Sequence, residues 1–119
     1  MKQASLLCND EILVERLFVA VGSFQRMKGL LGRKHFPQGE GLYLEPAPVI
    51  HTFFMRFKLD LIFLDSNMRV TCYRKDVKPF QIVHGGKGAH SVVEVESGWL
   101  GSGAAAIGAK LNIQANYPD

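Results

Sequence analysis

Leu59-Asp60-Leu61-Ile62-Phe63-Leu64, then Asp65-Ser66-Asn67, then Met68-Arg69-Val70-Thr71-Cys72-Tyr73, is the stretch on which the fold turns. Six residues with five large apolar side chains are too few for a stable helix but make a strand covered on both faces. Asp65, Ser66 and Asn67 supply turn chemistry, because their short polar side chains bond to nearby backbone amides. The stretch therefore predicts a β-hairpin. Side chains alternate across a strand, so Leu59, Leu61 and Phe63 share one face while Asp60, Ile62 and Leu64 share the other. Asp60 thus begins a strand buried on both sides.

Working outward, Leu13, Glu15, Leu17, Val19 and Val21 alternate with Val14, Arg16, Phe18 and Ala20, and neither set is cleanly polar. That pattern predicts an inner strand. Gly22-Ser23 ends it, and Ser23 caps an expected short helix near residues 23–32, with Phe24, Met27, Leu30 and Leu31 on one face. A loop rich in Gly and Pro runs from Arg33 to Gly41, followed by a strand at Leu42-Tyr43-Leu44 and a turn at Glu45-Pro46-Ala47-Pro48. Ser91 to Glu96 predicts a further strand after the glycine-rich loop His84 to Gly88. Leu111, Ile113, Ala115 and Tyr117 alternate with polar residues, as in a strand with one wet face. The expectation is one mostly β domain (β-rich α+β) over residues 1–119, a sandwich or partly open barrel of six to eight short strands with one helix.

Composition supports one packed domain, which is expected as a monomer. Leu, Ile, Val and Phe make up 37 of 119 residues, well above the level at which chains stay disordered. The longest apolar runs are about five residues, against the roughly 20 of a membrane-spanning helix, so no transmembrane segment is expected. Only Ala4 to Cys8 is apolar between Lys2 and Asn9-Asp10-Glu11, which is too short for an export signal and suggests a cytoplasmic protein. Cys8 and Cys72 form no C-x-x-C pair and are expected as free thiols rather than a disulfide. No phosphate-loop, Rossmann, metal-ligand or nucleophile motif is present, so no cofactor or metal is assigned.

Gly29-Leu30-Leu31-Gly32-Arg33, Gly41-Leu42, His51-Thr52-Phe53-Phe54-Met55-Arg56-Phe57 and Leu59 to Asp65 occur in an order that resembles the family DUF192, also called UPF0127. Lys78-Pro79, Val93-Glu94-Val95 and Ser97-Gly98 continue the resemblance, which covers almost everything from Val14 to Ile113. It implies a compact β-rich domain related to sandwiches and supplies no activity; many members of the family carry an export signal or membrane anchor. Two positions depart from the pattern: Lys58 stands where proline is usual, and Ala109 where an aspartate is usual.

A buried carboxylate at Asp60 must be paired or hydrogen-bonded. Arg33 and Arg56 are its expected partners, either as an ion pair that holds the Arg33 loop to the hairpin or within a ligand site. The leading expectation is a non-enzymatic module that binds a small ligand or protein partner through Arg33, His51, Arg56, Asp60 and Glu94. The enzymatic alternative is a small hydrolase- or isomerase-like protein with His51 and Asp60 or Glu94 as an acid–base pair. A third reading uses charge. Arg16, Arg26, Lys28, Arg33 and Lys34 fall in a stretch without acids, and Arg26, Lys28 and Lys34 form a basic surface suited to electrostatic docking. No aromatic residues interleave with those charges, so nucleic acid is not the expected partner.

Overall fold

The computed structural model describes residues 2–22, 39–53, 55–98 and 106–115. The helix expected near 23–32 and the basic residues Arg26, Lys28, Arg33 and Lys34 lie outside the described residues. Among the described residues nine strands follow in chain order: β1 (Lys2–Cys8), β2 (Glu11–Val21), β3 (Glu40–Glu45), β4 (Val49–His51), β5 (Leu59–Leu64), β6 (Val70–Val77), β7 (Ile82–His84), β8 (Ser91–Glu96) and β9 (Asn112–Ala115). Seven form a mixed sheet in the order β6-β5-β8-β3-β2-β1-β9, and β4 and β7 form a second, two-stranded sheet. The count exceeds the six to eight expected because β4 and β7, at three residues each, are too short to show a period. β1 also lies outside the predicted strands.

The predicted hairpin is β5-β6, and all six residues of β5 are buried between β6 and β8. At its turn the Asp65 carboxylate accepts the amides of Asn67 (2.8 Å) and Arg69 (2.9 Å). These bonds, with the Arg69 amide contributing most, hold the Asp65 carboxyl below its ordinary value.

The large sheet curls. Leu6 of β1, Tyr43 of β3, Ile62 of β5 and Val70 of β6 belong to one buried cluster with Val93, Val95 and Leu111. In a flat sheet β1 and β6 would stand about 24 Å apart, so only strong curvature brings them around one core. The residues ahead of β9 reach across to the start of β6: Arg69 bridges Lys110, the Val70 amide donates to the Ala109 carbonyl (2.9 Å), and the Leu111 amide to that of Met68 (2.9 Å). The result is a partly open barrel. Its outer face carries Leu42, Leu44, Leu59, Leu61, Phe63 and Val92, covered by Ile50 and Val83 of the small sheet. Both expected architectures thus describe part of the domain.

One face assignment changes. The alternation placed Val14 and Leu17 on opposite sides of β2, yet both lie in the interior cluster. Ala4 pairs with Leu17 and Leu6 with Val14, so β2 carries an extra residue, a bulge that turns Val14 inward.

Gly85, which follows β7, packs its bare Cα on Phe63. A Cβ there would sit within the Phe63 ring's van der Waals envelope and 2.6 Å from the Ala89 Cβ. Gly85→Ala is expected to cost about 1–3 kcal/mol, since a packed core resists an added methyl group; a urea melt measures it.

Candidate functional site

Thr52 organises the region around the small sheet. It is 1% exposed. Its hydroxyl donates to the Lys78 carbonyl (2.7 Å) and accepts the Gln81 amide (3.0 Å). Its backbone amide donates to the Gln81 carbonyl (2.8 Å), and its carbonyl accepts the amides of Phe80 (3.0 Å) and Met55 (3.2 Å). These bonds tie the segment before β7 to the end of β4 and set the flanking side chains, His51 and Phe53, whose ring centroids lie 4.9 Å apart. Thr52→Val keeps the shape but removes the hydroxyl, and is expected to cost about 1–3 kcal/mol in a thermal melt.

Next to this knot lies a cavity of about 370 Å³. The ends of β2 and β3 contribute Ala20, Gly22, Leu44 and Glu45, the turn contributes Pro46 and Ala47, and the small sheet contributes Val49, Ile50, His51 and Ile82, with Phe53 at the rim. The lining is mainly apolar. Glu45 turns its carboxylate elsewhere: its Oε1 lies 3.1 Å from His90 Nε2 and accepts the Tyr43 hydroxyl at 3.4 Å. This pairing joins residues 45 positions apart, so no local motif marks it.

Of the five expected site residues, His51 lines the cavity. Arg33 lies outside the described residues. Asp60 is 0% exposed and faces the barrel interior, in register with Val95. Its Oδ1 accepts the Asp76 amide (2.9 Å) and its Oδ2 the Gly98 amide (3.0 Å). Backbone amides therefore hold this carboxylate where the sequence suggested arginine. Arg56 is exposed and forms no ion pair with a described residue. Glu94 pairs with Leu42 and Leu61 and so points to the outer face, opposite Asp60. The sheet itself separates Asp60 from Glu94 and from the small sheet bearing His51. An acid–base pair of His51 and Asp60 has no route to a shared substrate, because a general base must reach its proton directly or through one water.

Glu94 is 3% exposed, and burial alone pushes its carboxyl up to about 7. Burial also raises the Tyr73 hydroxyl, with a smaller contribution from the nearby Asp60 charge, and no described group bonds to the Tyr73 oxygen. Cys8 and Cys72 are separate free thiols. Among the described residues, no three His, Cys, Asp or Glu side chains converge to hold a metal ion.

The DUF192 family model (Uncharacterized ACR, COG1430) matches residues 7–113. The chain belongs to the DUF192 family. The fold recurs in a crystal structure of a protein of unknown function from Novosphingobium aromaticivorans DSM 12444, with a TM-score of 0.76 and 20% identity over 92% of this chain and 83% of that one. A protein from Sinorhizobium meliloti 1021, provisionally named a transcription regulator, gives a TM-score of 0.73 and 18% identity over 94% of this chain and 92% of that one. Likenesses at this identity establish the shared fold of this DUF192 chain. No curated protein matches it. No described helix is long and apolar enough to cross a membrane.

Most of the cavity was hidden from the sequence reading. Glu45-Pro46-Ala47-Pro48 reads as a plain turn, and the triplet after it, Val49-Ile50-His51, is echoed by Ile82-Val83-His84, each apolar, apolar and histidine. That echo was the available signal for two short paired strands.

Proposed function

We propose that this DUF192 domain is a binding module whose ligand is a small apolar or amphiphilic molecule held in the cavity beside β4. The observation that carries this reading is the cavity itself. Its volume of about 370 Å³ lies in the range of ligand sites, and its walls are mainly apolar with one imidazole among them. The reading keeps His51 from the residues first singled out and replaces the others with Leu44, Ala47, Ile50, Phe53 and Ile82. Asp60 serves the frame in this reading and Glu94 lies outside the lining, so no acid–base chemistry is assigned.

An amide NMR titration with indole, decanoate and benzylamine tests it. Shifts clustered on Ala20, Leu44, Ala47, Ile50 and His51 are expected for at least one probe. Val49→Trp, which places an indole at the cavity mouth, is expected to weaken that binding about tenfold while leaving the fold intact. Shifts absent for all three probes, or scattered over the surface, would refute the cavity as a site.

A further inference from the structure

The outer side of the small sheet faces solvent. Val49, His51, Ile82 and His84 alternate outward, while Ile50 and Val83 point into the core. Ile82 is 62% exposed, and Phe80, just ahead of it, is 74% exposed. Phe80 has a φ of 65°, a left-handed conformation that a bulky residue adopts only under strain. Glycine or asparagine would fit that backbone more easily, and the phenyl ring is spent mostly on solvent. Phe53 stands close by, because Thr52 bonds to the Phe80 amide.

Cations border this apolar ridge. Arg56, Lys58, Arg74, Lys75 and Lys78 are all exposed, and none forms an ion pair with a described residue. Lys78 is part of the Thr52 knot through its carbonyl, which places it beside Phe80. Lys58 precedes Leu59, which pairs with Val77, so Lys58 and Lys78 meet at one end of the β5-β6 hairpin, with Arg74 and Lys75 a few residues farther along β6. The described carboxylates at that end are the buried Asp60, whose oxygens take backbone amides, Asp76, which accepts the Ser97 hydroxyl, and the half-buried Glu96.

We propose that this face docks onto an anionic lipid bilayer, with Phe80 and Ile82 entering the headgroup boundary and the five cations meeting lipid phosphates. Apolar side chains flanked by Lys and Arg are the pattern of an interfacial anchor. Single-stranded nucleic acid fits less well, because a base would find a π-face on Phe80 or Phe53 but none on Ile82 and Val49, which complete the apolar ridge. The surface shares Val49, His51 and Ile82 with the cavity lining but does not depend on the cavity being filled, and Phe80, Lys75 and Lys78 lie outside that lining.

Co-sedimentation of the full chain with vesicles of phosphatidylcholine alone, and of phosphatidylcholine mixed with phosphatidylglycerol, tests this. Binding to the mixed vesicles at low salt is expected, with little binding to neutral ones and weakening as salt rises. Phe80→Ser is expected to lower partitioning about tenfold. Lys75→Gln and Lys78→Gln are each expected to lower it about fivefold. These side chains are exposed, so unchanged urea midpoints keep a loss of binding distinct from a loss of folding. None of the three lines the cavity, so the small-molecule titration is unaffected by them, and either proposal can fail alone. No binding to the mixed vesicles, equal binding to both kinds, or variants that bind like the parent would overturn it. So would a single-stranded oligonucleotide that binds through Lys78 while the vesicles do not.

Discussion

Asp60→Ala should unfold at a much lower urea concentration than the parent chain, with a loss of about 2–5 kcal/mol from two orphaned amides. The reason is local to β6. Leu59 pairs with Val77 but Leu61 pairs with Arg74, so β6 carries one residue more than β5 between these points. Such a bulge leaves a backbone amide without a ladder partner. Here it is that of Asp76, whose φ of 55° turns it away from the ladder, and Asp60 Oδ1 accepts it at 2.9 Å. The other oxygen takes the Gly98 amide, where the chain leaves β8. One carboxylate thus fastens the strands on both sides of β5. Asp60→Asn has a single carbonyl oxygen and turns an NH2 donor toward the second amide, so it should lose a large part of the same stability. A melt of Asp60→Asn that overlays the parent would show that this staple does not support the fold.

Between about pH 4.5 and pH 7, the parent chain should lose stability from Glu94 as pH rises. The unfolded chain releases the Glu94 proton near the ordinary carboxylate value, while the folded chain keeps it to about 7. In that window the folded state binds more protons, so raising pH favours unfolding. Below the window the group has no effect, and above it the full penalty stands at about 3 kcal/mol. Glu94→Gln keeps the shape and cannot ionise, so its stability should vary less across the window and exceed the parent's at pH 8. Urea midpoints at pH 4.5, 6, 7 and 8 measure both effects. Equal slopes for parent and variant would mean that Glu94 ionises without cost in the folded chain.

The strands that carry their own information were legible from sequence. Leu59 to Leu64 reads as a doubly covered strand because nearly every residue is large and apolar, and Ser91 to Glu96 stands out through its valines. β1 was legible in principle: Cys8 pairs with Glu11 across Asn9-Asp10, both with positive φ, the turn that best closes a two-residue hairpin. The bulges were not legible. An extra residue in β2 or β6 leaves the composition unchanged and reverses the face of everything beyond it. The same limit decided the candidate site. Asp60 and Glu94 looked like neighbours, but whether they share a face depends on register, and Asp60 aligns with Val95 rather than Glu94. Backbone amides leave no mark in a sequence, so a search for the partner of Asp60 among side chains could find only arginines.

The pairing of β1 with β9 joins the first strand to the last, through Leu6 with Ile113 and Ala4 with Ala115. A ribosome making this chain releases the other eight described strands before β9 exists. Until residues 108–115 emerge, the flank of β1 stays bare and Leu111 cannot enter the interior cluster. The nascent domain therefore waits with one seam open, and its maturation is timed by the synthesis of β9 rather than of β1.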